Sequence, residues 1–297
     1  MSSRVSIVVL TYNRCEEVCR TLRGLRALQS GHRIIVVDNG CTDDTASCVR
    51  RQFPDVTLVQ AGGNLGAAGR NWGVELVRTP YVAFSDDDTC WLPGALEEAI
   101  RILDGHGDIT VLNAQIRVGD DESLDPACAA MAGSPLPGVE GVGPELTGFM
   151  AGACVMRTCA YRRAGGYWPP LFIGGEEELL ALDILADGGR IVYAPAVRTR
   201  HWPSTARDSE RRRRLMARNA LWIAWMRFSV PMAAARSVTV LRAVPTWRMR
   251  LAVCAEAMAG WAQVLRHRRV LDMAVCRKLQ QVWEGGQPAC RGGDAQL

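Results

Sequence analysis

The sequence predicts an α/β protein with a doubly wound, mostly parallel sheet, followed by a helical C-terminal extension. Three observations lead to this class: short β-branched runs alternate with amphipathic segments, polar motifs follow the runs, and basic residues concentrate after residue 197. Such alternation is typical of parallel sheets with right-handed crossovers. We therefore divide the chain into a sheet-bearing part, residues 1–203, and a basic helical extension, residues 204–297.

Four apolar runs before residue 90 predict strands. Runs without polar alternation suit strands that are covered on both faces. The predicted strands are Val5–Leu10, Arg33–Asp38, Val56–Gln60 and Tyr81–Ser85. Apolar residues at helical spacing predict helices at Glu16–Leu28, Thr42–Gln52, Ala67–Val77 and Leu92–Leu103. We expect Thr42 to cap the second helix, with Asp43 and Asp44 in its first turn.

The pattern after residue 104 is less regular. Ile109–Val118 and Arg190–Ala194 read as further strands, and a helix is predicted to follow Gly174 and Gly175 and to end at Leu185. Residues 133–144 (GSPLPGVEGVGP) are rich in Gly and Pro. We expect this stretch to be a mobile loop near the functional site.

Composition excludes several classes of protein. The 297 residues are 48 % apolar and 22 % charged, which is ordinary for a globular protein. The most apolar C-terminal stretch, Asn219–Leu241, is interrupted by Arg227, Pro231 and Arg236, so it does not predict a spanning helix. No secretory signal is visible in MSSRVSIVVLTYNR, and the eleven cysteines include no CxxC pair. We therefore expect a cytoplasmic protein whose cysteines are reduced and mostly buried.

The charge is strongly asymmetric. Residues 1–197 contain 16 basic and 25 acidic residues, whereas residues 198–297 contain 19 basic and 6 acidic residues. A basic region can bind nucleic acid, an anionic membrane or a phosphorylated substrate. No nucleic-acid-binding motif accompanies the basic residues, so nucleic acid is not an expected partner.

The basic extension allows two interpretations. Arg211–Arg214 is a run that a helix spreads around its circumference, and an apolar stripe follows at Leu221, Ala224, Trp225 and Phe228. The segment is either a helix packed on the core with a solvated basic edge or a peripheral contact with an anionic membrane.

Three consecutive carboxylates follow the fourth predicted strand. Asp86, Asp87 and Asp88 repel one another unless a cation neutralises them. Asp86 and Asp88 are two residues apart and can share a face while Asp87 points elsewhere. A hard divalent cation that also holds a diphosphate suits such a pair, although an acidic turn before Pro93 is the plainer alternative.

Three other polar sites have a structural and a functional interpretation. Asp38 either caps a turn or accepts hydrogen bonds from a base or ribose. Glu176, Glu177 and Glu178 either favour the start of a helix through its dipole or supply a general base. His201 is either a structural histidine or part of the site.

Together the motifs resemble glycosyltransferase family 2, whose members have the GT-A fold. The matching segments, in order, are VSIVVLTYNR, IIVVDNGCTDDT, GGNLGAAGRNWG, YVAFSDDDT with WLP, and GGEEELLALDI. The resemblance covers about the first 200 residues. It implies a bacterial, cytosolic-facing, inverting transferase that needs Mg²⁺ or Mn²⁺ and uses a nucleotide-diphospho-sugar.

The resemblance also implies roles for particular residues. Thr11, Tyr12 and Arg14 would line the nucleoside pocket, Asp38 would contact the base, and Asn64, Gly66 and Arg70 would border the donor cleft. Asp86 would face the ribose and Asp88 would hold the metal, with Asp87 between them near the donor and His201 close to metal and diphosphate. Glu177 takes the position of the catalytic base, and Glu176 is the alternative.

The mechanism that follows is a metal-assisted single displacement from a UDP- or dTDP-sugar to an acceptor hydroxyl. The acceptor would be lipid-linked, a polysaccharide or a secondary metabolite, a range suggested by the segment from His201 to Arg227. Two alternatives differ in class: a sugar-phosphate nucleotidyltransferase, and a non-catalytic, membrane-associated binding protein. The first would need a basic, Gly-rich triphosphate loop where this chain has TYNR, and the second has no need of Asp86, Asp88 and Glu177.

Overall fold

A computed structural model describes residues 3–203 and 210–285 of the chain. The strands are β1 Val5–Thr11, β2 Arg33–Asp38, β3 Thr57–Gln60, β4 Tyr81–Asp86, β5 Thr89–Trp91, β6 Ile109–Val118, β7 Ser123–Leu124, β8 Gly138–Val139, β9 Gly143–Leu146, β10 Cys154–Arg157 and β11 Arg190–His201. The helices are α1 Cys15–Ala27, α2 Thr45–Gln52, α3 Gly69–Glu75, α4 Ala95–Gly105, α5 Pro126–Ala132, α6 Thr158–Arg163, α7 Glu176–Ala186, α8 Glu210–Arg227, α9 Val230–Ala243, α10 Trp247–Ala259, α11 Trp261–Arg266 and α12 Met273–Glu284.

The strands form one mixed sheet in the order β3-β2-β1-β4-β10-β6-β11-β9-β8. The strands β1, β2, β3 and β4 run parallel to one another, and β6 runs parallel to β11. The short strand β10 joins these two parallel parts because it pairs antiparallel with both β4 and β6. The predicted doubly wound, mostly parallel sheet with helices after it is confirmed.

The central strands are buried on both faces. In β1, the side chains of Val5, Val8 and Val9 have no solvent exposure, and β2 and β4 are buried in the same way. The apolar runs predicted the ends of these strands to within one residue. They did so because a strand that is buried on both faces is apolar along its whole length.

Strand register brings the ends of three parallel strands to one edge of the sheet. Thr11, the last residue of β1, is paired with Asp38, the last residue of β2. On its other side β1 pairs Leu10 with Asp86, the last residue of β4. Ligands of such sheets bind beyond the carboxyl ends of the strands, and the polar side chains of this chain are brought together there.

The prediction of α2 was wrong at its first turn. The helix begins at Thr45 rather than Thr42, because the Asp43 carboxylate accepts hydrogen bonds from the backbone N–H and the hydroxyl of Thr45. The backbone N–H of Thr42 instead donates to Asn13 Oδ1 at 2.7 Å. Residues 42–44 therefore belong to the turn after β2.

The Gly/Pro-rich segment is not a loop at the site. It contains the hairpin of β8 and β9 at the edge of the sheet, and β9 pairs with β11 at Ile191 and Val192. The last strand is also longer than predicted: β11 continues past an irregularity between Ala194 and Arg198 and ends at His201. That extension carries His201 to the opposite end of β11 from the hairpin.

The ten cysteines in the described residues are all free thiols. Four of them are buried, five are half-buried and Cys159 is exposed. The prediction that most of the cysteines are buried is therefore wrong for the described residues.

The apolar stripe of α8 faces the protein interior. Leu221, Ala224 and Phe228 are buried, and the half-buried Trp225 stacks edge-on against Trp261 with ring centroids 5.4 Å apart. This burial agrees with the interpretation of a helix packed on the core, so the aromatic side chains of the stripe are not available for insertion into a membrane. None of the helices in residues 3–203 and 210–285 has the length and apolar character needed to cross a bilayer.

A buried ion pair fastens the extension to the sheet-bearing part. Arg227 at the end of α8 donates from Nε and Nη2 to the two carboxylate oxygens of Asp183 in α7, at 2.7 and 2.8 Å. Its Nη1 donates to the carbonyl oxygen of His267 at 2.7 Å. The division at residues 203 and 204 stays a prediction, since its boundary adjoins residues 204–209, which lie outside the described structure.

We expect Arg227→Met to lower the free energy of unfolding by about 3–5 kcal/mol, because it leaves the Asp183 carboxylate buried without its partner. Urea denaturation measures this loss. The matched control is Arg101→Met, which removes an exposed partner of Glu98 and should leave stability nearly unchanged. Equal effects of the two substitutions would contradict the anchoring role.

Candidate active site

A cavity of about 360 Å³ opens at the carboxyl ends of β1 and β4. Its wall includes twelve residues singled out in the sequence: Thr11, Tyr12, Arg14, Asn64, Gly66, Arg70, Asp86, Asp87, Asp88, Glu176, Glu177 and His201. The motifs come from segments as far apart as β1 and β11. The structure thus brings these motifs together in one site. The site carries five carboxylates and, with Arg212, three guanidinium groups.

Asp38 is the predicted residue that does not line this cavity. Its carboxylate is buried in the turn after β2, where Oδ1 accepts a hydrogen bond from the backbone N–H of Cys41 at 2.7 Å. Its Oδ2 accepts a hydrogen bond from Gln60 Nε2 at 3.2 Å. These contacts match the turn-capping interpretation. The neighbouring Asn39 lines the cavity instead.

Two arginines engage the three aspartates. Arg14 Nη1 lies 2.8 Å from Asp87 Oδ1 and 3.0 Å from Asp88 Oδ2. Arg70, which is buried, pairs with Asp86. The expectation that Asp87 points away from its neighbours is wrong. Residues 87 and 88 form a turn between β4 and β5, so the alternation of an extended strand stops at Asp86.

The aspartate turn is electrostatically crowded. Burial raises the pKa of Asp87 to about 7, and the Asp88 and Asp86 carboxylates add to this rise although Arg14 opposes it. Asp88 is fully buried, and its Oδ1 lies 3.6 Å from His201 Nε2. A bound cation would relieve this crowding.

The donor set of the turn fits a hard divalent cation. Among the described residues, His, Cys, Asp and Glu side chains do not form a group of three that could hold a metal alone. Asp88, with Asp86 and His201 nearby, offers the few protein ligands that Mg²⁺ or Mn²⁺ uses when phosphate oxygens supply the rest. The three residues predicted as metal ligands therefore line one cavity with room left for a phosphate ligand.

Glu176 and Glu177 form the first turn of α7 and face the cavity. Two glycines with φ of +86° and +87°, Gly174 and Gly175, turn the chain into this helix. The backbone N–H of Ala151 donates to Glu177 Oε1 and fixes its carboxylate. Removal from bulk water and the adjacent Glu176 carboxylate raise the pKa of Glu177 to about 8.

Glu176 differs from its neighbour in its contacts. Its buried Oε2 has no hydrogen-bond partner among the described residues, and burial raises the pKa of its carboxyl. Glu177 is held by the chain, whereas one oxygen of Glu176 is left for a ligand. The structure brings both candidates for the catalytic base to the same cavity and gives Glu177 the fixed position.

Other residues of the wall were missed by the sequence analysis. They include Asn39, the turn of Met150, Ala151, Gly152 and Ala153, Phe172, Ile173 and Arg212. Arg212 lies within the run assigned to the basic edge of α8. Gly152 approaches Asp86 so closely that a Cβ there would come within 2.8 Å of Oδ2. The turn at residues 150–153 has no polar or ionisable side chain, so the sequence analysis could not identify it as part of a site.

Phe172 occupies a strained backbone conformation at the rim of the cavity. Its φ of +63° and ψ of −66°, with a hydrogen bond of 2.7 Å from Ile173 N–H to Leu171 C=O, define a γ-turn. The carbonyl oxygen of Phe172 accepts a hydrogen bond from Ala67 N–H at 2.7 Å. Gly66 must lack a side chain because a Cβ there would lie 1.9 Å from that oxygen. Such strain persists only where neighbouring contacts enforce it.

The enforcing contacts come from α8. The side-chain amide of Asn219, which is fully buried, donates to the carbonyl oxygens of Leu171, Ile173 and Gly174 at 2.8, 3.0 and 2.6 Å. Residues 168–175, which we call the rim loop, are thereby bound to the C-terminal extension. The only sequence signal for this role is a polar residue just before an apolar stripe.

These features agree with the family match. Residues 6–159, slightly more than half of the chain, match the family described as Glycosyl transferase family 2. The chain belongs to this family, and the resemblance of its motifs is confirmed.

Individual relatives are more distant. An uncharacterized glycosyltransferase of Haemophilus influenzae is 27 % identical over 109 residues, or 36 % of this chain and 37 % of the relative. The N-acetylglucosaminyl-diphospho-decaprenol L-rhamnosyltransferase of Mycobacterium tuberculosis is 24 % identical and shares 70 % of this chain and 80 % of its own length. Among solved structures, the mannosyltransferase of Pyrobaculum calidifontis in complex with GDP-Man and Mn²⁺ has a TM-score of 0.55 at 18 % identity, covering 95 % of this chain and 87 % of its own. This likeness confirms the GT-A fold.

We expect Asn219→Asp to destabilise the rim loop, because a carboxylate of the same shape cannot donate to the three carbonyl groups. Unfolding free energy should fall by about 1–3 kcal/mol. Hydrogen exchange should accelerate at residues 171–175. The matched control is Gln280→Glu, the same amide-to-carboxylate change at an exposed position of α12, which should alter neither quantity. Unchanged exchange in the rim loop would exclude the proposed restraint.

Proposed function

We propose that this chain is an inverting glycosyltransferase that moves a sugar from a nucleotide-diphospho-sugar, UDP- or dTDP-linked, to an acceptor hydroxyl. The observation that supports this most directly is the meeting of the Asp86–Asp88 turn and the Glu176–Glu177 turn in one cavity. The first provides metal and diphosphate chemistry, and the second provides a base. Family membership argues against both a nucleotidyltransferase and a non-catalytic binding protein.

Glu177 is the general base of the proposed reaction. The acceptor hydroxyl gives its proton to the Glu177 carboxylate while its oxygen bonds to the anomeric carbon. The bond from that carbon to the diphosphate oxygen breaks, and nucleoside diphosphate leaves on the opposite side. The Ala151 N–H holds Oε1, so the carboxylate keeps one orientation toward the acceptor. One direct displacement inverts the configuration of the sugar.

Asp88 and Asp86, with His201, would hold Mg²⁺ or Mn²⁺. Such a cation supplies Lewis-acid stabilisation of the charge on the leaving diphosphate. Thr11, Tyr12 and Asn64 line the same cavity and would contact the nucleoside and the donor in the proposed reaction. Arg14 and Arg70 offset only part of the negative charge of the three aspartates before the donor arrives.

We propose a lipid-linked acceptor ahead of a polysaccharide or a secondary metabolite. The mycobacterial relative that covers 70 % of this chain is named for a diphospho-decaprenol acceptor. The basic extension suits a peripheral contact with an anionic membrane, and we place the chain at its cytoplasmic face. The free thiols of the described cysteines are in keeping with a reducing compartment.

Donor binding is expected to depend on a divalent cation. Asp86, Asp87 and Asp88 would otherwise repel the diphosphate, so UDP should bind at least about tenfold more weakly in EDTA than in Mn²⁺. Asp88→Asn should lose most of this difference while its melting temperature is retained. Isothermal titration calorimetry measures the UDP affinity in EDTA and in Mn²⁺, and thermal denaturation measures the melting temperature. The exposed Asp55→Asn is the control. Equal affinity in EDTA and Mn²⁺ would refute the metal assignment.

Turnover is expected to rise with pH. Glu177 accepts a proton only when ionised, and its pKa of about 8 in the free protein leaves it protonated below that pH. We therefore expect kcat/KM to increase between about pH 7 and pH 9. Glu177→Gln should retain UDP binding but reduce turnover by about 10²-fold or more, and its residual rate should lose this pH dependence. Nucleoside diphosphate release measures each rate.

Glu176→Gln is the matched variant on the same helical turn. Its carboxylate is not fixed by Ala151, so turnover should fall much less than in Glu177→Gln. The opposite ranking would move the catalytic base to Glu176. A kcat/KM that is flat or decreasing with pH would remove Glu177 from that role.

A further inference from the structure

Exposed large hydrophobic side chains concentrate in the C-terminal extension. Of eleven such residues in the described chain, eight lie between Val230 and Met273. The remaining three are Tyr12 at the cavity, Trp72 and Leu124. Scattered exposed hydrophobic residues need no explanation, but a grouping on one helix indicates a contact surface.

Helix α10 shows such a grouping. Trp247, Leu251 and Met258 are 65, 61 and 64 % exposed. At 100° per residue their positions lie within about 40° of one another around the helix. The opposite side of α10 is buried through Met249, Val253 and Ala257. The helix therefore packs on the protein with one face and presents an apolar strip with the other.

The charges around this strip are positive. Arg248 and Arg250 lie on opposite sides of the strip around the helix. The guanidinium of Arg248 lies 5.5 Å from the Trp247 ring centroid. The acidic residue of α10, Glu256, points away from the strip and pairs with Arg214 of α8. An exposed tryptophan beside leucine and methionine, bordered by arginines, is the pattern of a helix that lies in a membrane interface.

We infer that the exposed face of α10, formed by Trp247, Leu251 and Met258 with Arg248 and Arg250, is the surface through which this chain binds an anionic lipid bilayer. The arginines attract the anionic headgroups, and the apolar side chains enter the boundary between headgroups and acyl chains. A lipid surface fits better than a second protein because the strip is narrow and its two bordering arginines pair with no carboxylate among the described residues. Arg250 Nε is also held near the strip, since it donates to the carbonyl oxygen of Val244 at 3.0 Å. This inference deepens the proposed function, since it rests on an acceptor held in a membrane.

The surface is connected to the cavity through α8. Glu256 of α10 pairs with Arg214, two residues from Arg212 in the cavity wall. Trp222 of α8 donates from its indole Nε1 to the carbonyl oxygen of Ala257 at 2.9 Å. Helix α10, which would contact the bilayer, is therefore held by α8, which also borders the cavity. The Arg211–Arg214 run, in contrast, is directed partly at the protein.

Vesicle co-sedimentation tests the surface with the full-length protein. We expect binding to vesicles of phosphatidylglycerol and phosphatidylcholine at low salt, release at high salt, and little binding to phosphatidylcholine alone. Trp247→Ala with Leu251→Ser should weaken binding about tenfold or more. Arg248→Gln should weaken it about fivefold. The matched control is Trp72→Ala with Leu124→Ser, which removes a tryptophan and a leucine that are 46 and 45 % exposed elsewhere.

Three results would overturn the inference. They are absence of wild-type binding to the anionic vesicles, unchanged binding in the Trp247 and Leu251 variant, and a wild-type dimer that this variant converts to a monomer in light scattering. UDP binding with Mn²⁺, measured in the same preparations, separates the two proposals. Retained UDP binding with no vesicle binding removes only the membrane surface. Loss of UDP binding in the wild type removes the proposed function itself.

Discussion

The arrangement of the cavity depends on one buried amide, that of Asn219. Its NH₂ group holds three carbonyl oxygens of the rim loop, and this loop contains the γ-turn at Phe172 and leads into the Glu176–Glu177 turn. Without this amide the carbonyl groups of Ile173 and Gly174 would lose their side-chain partner, whereas that of Leu171 would keep the Arg218 guanidinium at 3.2 Å. The extension therefore acts as a structural part of the catalytic unit, although it carries few of the chemical groups.

The charge pattern of the cavity has a similar logic. Five carboxylates face one small space, which would be costly if they were left unopposed. Arg14 and Arg70 pair with the aspartates, while the Ala151 N–H stabilises one oxygen of Glu177. Internal cations and a backbone N–H thus stabilise the acidic cluster. The pKa values of Asp87 and Glu177 are nevertheless raised, first by burial and then by the neighbouring carboxylates. A site of this kind is prepared for an added cation.

Local patterns of the sequence predicted much of this structure, and long-range contacts account for what they missed. Buried runs predicted β1, β2 and β4 because two-sided burial imposes a simple pattern. Thr11, Asp86 and His201 meet in the cavity because their strands end at one edge of the sheet, whereas Glu176 and Glu177 reach it from the first turn of α7. The direction of Asp87 and the place of Asp38 outside the cavity each depend on a turn. The role of Asn219 depends on carbonyl groups that are distant in the sequence. The burial of the α8 stripe likewise depends on helices that follow it.

The contact between Asn219 and the rim loop also has a consequence for synthesis on the ribosome. Domains fold as units while the chain is extended from its N-terminus. The parallel strands and the aspartate turn are complete in the nascent chain well before residue 219 emerges from the exit tunnel. Until then the rim loop, which leads into the turn of Glu176 and Glu177, lacks its amide partner. Nascent chains would therefore have an incomplete site until residue 219 has left the exit tunnel.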